Sequence, residues 1–161
     1  MKFHYQGGYL EIIIQNAYHF EQIPLSSRIK SWVNCALGED RPGELTVRIV
    51  NEFESAVLNE RYRKVAGATN ILAFPYQSCD TDLLPESEII GDLVVCAPVL
   101  EREATAQGKA LIAHWAHILI HGSLHLIGYD HENKEEAKAM EAKERVLLEA
   151  LGFDNPYKYR Q

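Results

Sequence analysis

The most informative segment of this chain is His121-Gly122-Ser123-Leu124-His125-Leu126-Ile127-Gly128-Tyr129-Asp130-His131. The four-residue spacing of His121 and His125 puts both imidazoles on one face of a helix, about 40° apart. Gly128 can end that helix, and a short return brings a third imidazole, His131, to the first two. Three protein ligands leave the fourth position of a tetrahedral ion open, as in catalytic zinc sites. Because a metal bound in this way can generate hydroxide near neutral pH, the segment predicts a hydrolase.

The helix that precedes the turn, predicted over about 109–127, carries four histidines within an arc of about 80°. They cannot all hold one ion, because His117 and His125 are about 12 Å apart along the axis. Two nitrogens on one zinc ion lie within about 4 Å of each other. Only the pair nearest the turn has a third histidine within reach. The three histidines of the segment are therefore the predicted ligands, and His114 and His117 are predicted to pack or to support a ligand.

Gly122 separates this motif from the His-Glu-x-x-His motif of zinc proteases, in which the glutamate acts as general base. A site without that glutamate must deprotonate water through the ion itself or take a base from elsewhere in the chain. A metallohydrolase of peptide or small amide bonds is therefore a rival hypothesis that this glycine disfavours.

The composition is that of an ordinary globular protein, with 161 residues, 47% hydrophobic and 24% charged. We expect a single domain over residues 1–161. No run of about 18 apolar residues is present, and residues 1–5 lack the apolar core of a secretory signal. A cytoplasmic protein with no membrane partner is the expectation. The three cysteines, Cys35, Cys79 and Cys96, are odd in number and far apart, which favours reduced and mostly buried thiols.

The net charge of −7 disfavours a generally basic surface for nucleic acid, although a local basic groove is compatible with it. The acidic excess is concentrated in residues 132–149, which also carry lysines at helical spacing. We interpret this pattern as the solvated face of a helix.

Hydrophobic periodicity predicts about four strands and four to five helices. The strands are predicted at 10–15, 44–50, 71–74 and 89–96. The helices are predicted from Pro24 to a stop at Gly38, from a cap at Asn51 to about Arg63 carrying Phe53, Val57 and Leu58, from Pro98 to Gly108, over 109–127, and over 134–151. Residues 77–87 are predicted to form a polar loop. This mixed order predicts an α+β (layered α/β) fold, in which the helices pack on one small mixed sheet.

These residues resemble the YbeY family, the bacterial endoribonucleases of ribosomal RNA maturation. The segment 121–131 is similar to the family signature at all eleven positions, and further similar blocks lie at 58–63, 69–75, 91–94, 150–153 and 156–157. The resemblance thus covers nearly the whole chain. Ala68 and Ala73 depart from it, where the family often has proline and serine. Both lie beside the predicted site loop and neither is a predicted ligand.

The resemblance implies a zincin-like metallohydrolase with one Zn²⁺ per chain, held by His121, His125 and His131. His121 would also belong to the catalytic centre, and Arg63 would be the functional arginine. Phosphodiester cleavage places charge on the non-bridging oxygens, which an arginine fork can hold while the metal supplies hydroxide. Imidazole also suits nickel, copper and iron, so these ligands leave the identity of the ion open.

Several other residues are candidates around this centre. Arg61 and Lys64 would extend a short basic strip toward the RNA and help to bind it. Asp130 would either orient a ligand imidazole or form the turn. His117 and Asp92 are candidates for supporting the ligands, and Asp92 is alternatively a carboxylate at the sheet edge.

The implied function is a zinc-dependent endoribonuclease that cuts single-stranded RNA, in 16S ribosomal RNA 3′ end maturation and ribosome quality control. The implied partners are single-stranded RNA, ribosomal RNA first, and the ribosome or proteins associated with it. A rival from another class is a ribosome assembly factor whose metal is mainly structural, which a buried zinc with no exchangeable water would favour. The net charge gives this rival weight, because a protein with low affinity for bare RNA would need a partner to deliver it.

Overall fold

The computed structural model describes residues 10–38, 41–76 and 89–158. The strands are β1 (Leu10–Asn16), β2 (Gly43–Val50), β3 (Ile71–Pro75) and β4 (Ile89–Cys96). The helices are α1 (Ser26–Leu37), α2 (Glu52–Leu58), α3 (Ala97–Gln107), α4 (Leu111–Leu126) and α5 (Lys134–Ala150), and a π-helical turn (Asn59–Arg63) follows α2 directly. These positions confirm the predicted strands and helices. The predicted polar loop at 77–87, with Cys79, lies outside the described residues.

The four strands form one mixed sheet in the order β1-β2-β4-β3. β1 pairs with β2 and β2 with β4 in parallel, whereas β3 runs antiparallel to β4. Alternate residues of β2, namely Leu45, Val47 and Ile49, are fully buried, because period-two alternation sends them all to the same face. The mixed sheet with helices packed on it confirms the predicted α+β class.

α4 lies at the centre of the molecule and packs against α1, α3, α5 and the strands β3 and β4. It is apolar around most of its circumference, with four fully buried or nearly buried large side chains: Trp115, Leu119, Ile120 and Leu124. A helix of this composition is stable only when it is enclosed by other elements. Its histidines are therefore held on a backbone that the core fixes in place.

α4 lies close to the sheet at Gly122. A Cβ atom at this position would lie 2.5 Å from Cδ1 of Ile71 on β3 and 3.1 Å from Cδ2 of Leu93 on β4. The side of α4 that a protease-type glutamate would occupy therefore faces the sheet. This packing gives a structural reason for glycine between the two histidine positions of the motif.

α2 and the π-helical turn pack on the other face of the sheet. The Asn51 side chain accepts a hydrogen bond from the Glu54 amide at 2.9 Å, as predicted for the cap. The Phe53 and Val57 side chains of this helix are 77% and 44% exposed, and only Leu58 packs against the buried cluster on that face. This short helix thus turns Phe53 and Val57 away from the sheet, and Leu58 alone of the three contributes to the packing on that face.

None of the helices in the described ranges is both long and apolar enough to cross a bilayer. Of the described cysteines, Cys96 is buried and Cys35 is half-buried. Burial raises the pKa of the Cys96 thiol, so it stays protonated at neutral pH.

Candidate metal centre

The end of α4 brings three histidines together. The Gly128 amide donates to the His125 carbonyl at 3.1 Å, and the φ of Gly128 is +104°, a conformation that favours glycine. The chain then returns, so that the ring centroid of His131 lies 5.0 Å from that of His125 and 5.9 Å from that of His121. The predicted turn has therefore brought the third imidazole to the first two.

The donor set fits a metal ion. One ring nitrogen from each of His121, His125 and His131 lies within 4.8 Å of the others, the only such group of potential ligands in the described ranges. The Nε2 atoms of His121 and His125 are 3.2 Å apart. Two zinc–nitrogen bonds of about 2.0–2.1 Å at a tetrahedral angle require a similar separation. The site can hold a metal, and its three nitrogens suit several divalent ions.

A glutamate that sequence reasoning missed supports this cluster. Glu144 of α5 is fully buried, and its Oε1 atom lies 2.5 Å from Nδ1 of His121. The interpretation of residues 132–149 as a solvated face is therefore wrong at this position. A signal was present, because Met140, Glu144 and Leu148 recur every four residues and form a buried stripe on α5.

Two further side chains complete the surroundings of Glu144. Nε2 of His117 lies 3.0 Å from Oε2 of this carboxylate, and the Tyr157 hydroxyl donates to the same oxygen. Burial alone would raise the pKa of Glu144, but hydrogen bonds from His117 and His121 outweigh it and lower the pKa to about 2. Glu144 is therefore a carboxylate at neutral pH, although it has no contact with water.

The charge of Glu144 decides which nitrogen of each imidazole carries the proton. A carboxylate only accepts hydrogen bonds, so Nδ1 of His121 and Nε2 of His117 must both be donors. The lone pair of neutral His121 is then on Nε2, the atom that faces His125. This arrangement is the carboxylate–histidine pair that orients metal ligands in many sites.

The other two histidines are more open. The His131 side chain is 53% exposed, and Oδ1 of Asp130 accepts a hydrogen bond from the His131 amide at 2.8 Å. The Asp130 carboxylate is 3.9 Å from Nδ1 of His131, which exceeds hydrogen-bond length. In this structure Asp130 thus forms the turn. Burial and the neighbouring imidazoles lower the pKa of His125, so its ring is neutral and able to bind a metal at pH 7.

A groove of about 940 Å³ runs over the three histidines and includes Arg63 among its lining residues. The π-helical turn ends at Arg63, and Lys64 follows in the left-handed conformation with φ +60°. π-helical turns often occur at functional sites, where they re-aim side chains. Arg61 and Lys64 are exposed but do not line the groove, so of the three basic residues only Arg63 shares it with the histidines.

Asp92 and His114 lie away from the cluster. The Leu93 side chain faces α4 at Gly122, so the preceding residue, Asp92, is on the opposite face of the sheet. β4 also has a strand on each side. Neither of the two predicted places for Asp92, beside a ligand or at a sheet edge, is therefore correct. His114 is buried, and its Nε2 atom lies 3.0 Å from Oε1 of Glu103.

A family model described as Endoribonuclease YbeY matches residues 13–152 of this chain. The chain belongs to the YbeY family. That membership confirms the resemblance found in the sequence and the predicted class of enzyme, a nuclease that acts on RNA phosphodiester bonds.

Two curated members of the YbeY family show how far the similarity extends. The Endoribonuclease YbeY of Nitrosococcus oceani is 46% identical over 151 residues, which cover 92% of this chain and 97% of that protein. The Endoribonuclease YbeY of Halorhodospira halophila is 49% identical over 138 residues, which cover 85% of this chain and 90% of that protein. The similarity to these YbeY proteins includes the whole of the groove.

The fold is also similar to a solved structure. The solution structure of TM1509 from Thermotoga maritima matches 88% of this chain and 91% of its own, with a TM-score of 0.50 and 23% identity. This likeness supports the α+β architecture of the YbeY chain and nothing about its chemistry.

Proposed function

We propose that this chain is a single-domain, zinc-dependent endoribonuclease that cuts single-stranded RNA, with ribosomal RNA as its substrate and 16S 3′ end maturation as its step. The observation that carries the proposal is the groove that Arg63 shares with three histidines whose donor nitrogens lie within 4.8 Å of one another. Membership of an endoribonuclease family supports RNA as the substrate.

In this proposal the residues of the site have three separate roles: holding the ion, binding the phosphate and orienting a ligand. His121, His125 and His131 hold the ion, which when bound supplies the acidity that turns water into a nucleophile near neutral pH. The Arg63 guanidinium binds the non-bridging oxygens of the scissile phosphate, where negative charge increases in the transition state. Glu144 holds the proton on Nδ1 of His121 and thereby keeps Nε2 available as a ligand.

The two rival functions are less consistent with the site. A mainly structural metal calls for a closed, buried site, whereas His131 is 53% exposed at the wall of a groove. A peptidase of the His-Glu-x-x-His kind needs a glutamate where Gly122 packs against Ile71. The open groove and the close packing of this glycine therefore favour phosphodiester cleavage.

A substrate panel tests the proposed function. We expect the purified protein to cut a single-stranded RNA, to leave the corresponding duplex RNA and casein intact, and to lose activity when a chelator removes the ion. Addition of Zn²⁺ alone should restore cleavage. Cleavage of casein in place of RNA, or RNA cleavage that a chelator leaves unchanged, would show the proposal to be wrong.

A further inference from the structure

A second cavity of about 610 Å³ adjoins the metal groove on the side of α4 nearer its N-terminus. Asn70 and His121 line both cavities, so the two are adjacent at these residues. Small-molecule sites usually have volumes of roughly 300–1,000 Å³. A cavity of this size beside the predicted place of the scissile phosphate is large enough for one nucleotide. We call it the base pocket.

The walls of the base pocket suit a planar ring. His117 and Tyr157 both line the cavity, and their rings pack edge-to-face, with centroids 5.4 Å apart and planes at 87°. Ile118 and Pro156 add apolar surface. Proteins that bind single-stranded RNA commonly hold an unstacked base against aromatic side chains in this way.

A carboxylate provides the polar group of the base pocket. Oε1 of Glu103 contacts Nε2 of His114 at 3.0 Å and Nδ2 of Asn70 at 3.2 Å. Nδ2 of Asn70 is also 3.3 Å from Oε2 of Glu103, and the Glu103 side chain, which lines the cavity, remains 31% exposed. The hydrogen bond from His114 lowers the pKa of Glu103, which is therefore an acceptor without a proton to donate.

Lys109 adds a cation beside this carboxylate. The side chain is half-buried, and burial lowers the pKa of its ammonium group. The nearby Glu103 carboxylate attracts this ammonium group, but within the described ranges no salt bridge or side-chain hydrogen bond holds it. A partly desolvated ammonium group in this setting is suited to bind a phosphate of the RNA backbone.

We propose that the base pocket binds the base next to the scissile phosphate and that Glu103 selects bases with an exocyclic amino group. Lys109 then binds a phosphate further along the strand. Cytosine, adenine and guanine each present an amino N–H that a carboxylate can accept, as glutamate does for cytosine N4. Uracil presents a carbonyl oxygen where cytosine presents its amino group, and the carboxylate repels that oxygen. This inference rests on the proposed function, because it takes RNA as the substrate.

Nucleoside monophosphates test the base pocket directly, since they contain no internal phosphodiester to be cut. We expect CMP to bind the metal-loaded protein about tenfold more tightly than UMP, as measured by NMR titration, because one good base contact has about this effect. Glu103→Gln should bring the ratio close to one. Glu101→Gln, an exposed change on the same helix, should leave the ratio as it is.

Lys109 provides a second and independent variant. Lys109→Met should weaken oligonucleotide binding and reduce its salt dependence by about one counterion, but leave CMP and UMP binding unchanged, because a monophosphate has no second phosphate along the strand. The matched control is Lys138→Met on the exposed face of α5. Unchanged oligonucleotide affinity with an unchanged salt slope would overturn the role of Lys109. If Glu103→Gln does not fold, the CMP-to-UMP affinity ratio of the parent protein still tests the base pocket.

Cleavage assays on the same samples separate this proposal from the proposed function. Equal affinity for CMP and UMP in a protein that cuts single-stranded RNA would overturn the base pocket alone. Selective CMP binding that depends on Glu103, in a protein that cuts no RNA, would support the pocket and contradict the proposed endoribonuclease. Equal affinity for CMP and UMP in a protein that cuts no RNA would overturn both the base pocket and the proposed function.

Discussion

Nδ1 of His121 lies 2.5 Å from Oε1 of the fully buried Glu144, while Nε2 of the same ring faces His125. The buried carboxylate thus determines which imidazole nitrogen is free to bind an ion. The pair connects α5 to α4, so the position of the last helix affects the chemistry of the groove. Glu144 is a positioning residue in this arrangement, because it acts through His121.

Loss of this carboxylate should weaken metal binding. We expect Glu144→Gln to lower the affinity for Zn²⁺ by about 10- to 100-fold, the usual effect of removing a partner of a ligating histidine. Chelator competition measures the affinity, and thermal unfolding without metal shows whether the variant folds. Glu135→Gln, an exposed change on α5, is the control. Equal affinities in a folded Glu144→Gln protein would contradict the positioning role.

Arg63 should matter for cleavage and not for metal content. We expect Arg63→Ala to lower kcat by about 10²- to 10³-fold, the effect of removing one donor to a developing charge, with one ion per chain retained. Arg63→Lys should restore little, because lysine lacks the planar fork. Steady-state cleavage and metal analysis of each variant measure this.

Arg61→Ala is the matched control for Arg63, since Arg61 is two residues away and does not line the groove. Loss of the Arg61 side chain should lower the rate of cleavage only modestly, and by a smaller factor at high salt. Equal losses in the two alanine variants would contradict the assignment of the phosphate to Arg63.

Gly122 should be required for the packing of α4 and not for chemistry. Gly122→Ala would bring a Cβ to 2.5 Å from Cδ1 of Ile71, and we expect overpacking to lower the free energy of unfolding by about 1–3 kcal/mol. Ile71→Val removes that Cδ1 atom, so the double variant should recover much of the loss. Urea unfolding of the four proteins completes the cycle, and no coupling between the two positions would contradict this explanation.

An ion pair between β2 and the first turn of α2 should make the stability of the protein depend on pH. Nε and Nη2 of Arg48 bind the Glu54 carboxylate at 2.6 and 2.8 Å, and these bonds lower the pKa of Glu54 from 4.5. The folded-state pKa is then below the unfolded-state one. The stabilisation is therefore complete above about pH 4.5 and is lost as the pH falls through the lower, folded-state value.

Arg48→Met tests this pair. We expect the variant to be less stable than the parent protein at pH 7 by up to about 1 kcal/mol, because the pair is partly exposed. The difference should shrink as the pH falls below about 4.5. Urea unfolding over this pH range measures it. A difference that stays constant down to the acid limit would contradict the assigned pair.

Local spacing was enough to predict the three histidines, because a four-residue repeat on a helix and a glycine turn determine where the side chains meet. Arg63 was placed by family resemblance, and periodicity alone could not show that a π-helical turn brings it into the groove. The exposure of Phe53 and Val57 could not be predicted in the same way, because helical spacing does not show how much of a short helix is covered.

Glu144 was missed for a different physical reason. A glutamate on a charged helix is normally solvated, and its burial depends on three partners from distant parts of the sequence: His117, His121 and Tyr157. The buried stripe from Met140 to Leu148 was the available signal. Contacts between α4, α5 and the C-terminal turn became visible only in the structure.

The most direct test is a metal analysis of the purified protein beside His131→Ala, with cleavage of a single-stranded RNA measured on the same samples. We expect one zinc ion per chain and RNA cleavage in the parent protein. In His131→Ala both should be lost, while the unfolding transition of the metal-free proteins is the same, since His131 is exposed. Full metal content and undiminished cleavage in His131→Ala would contradict the three-histidine centre.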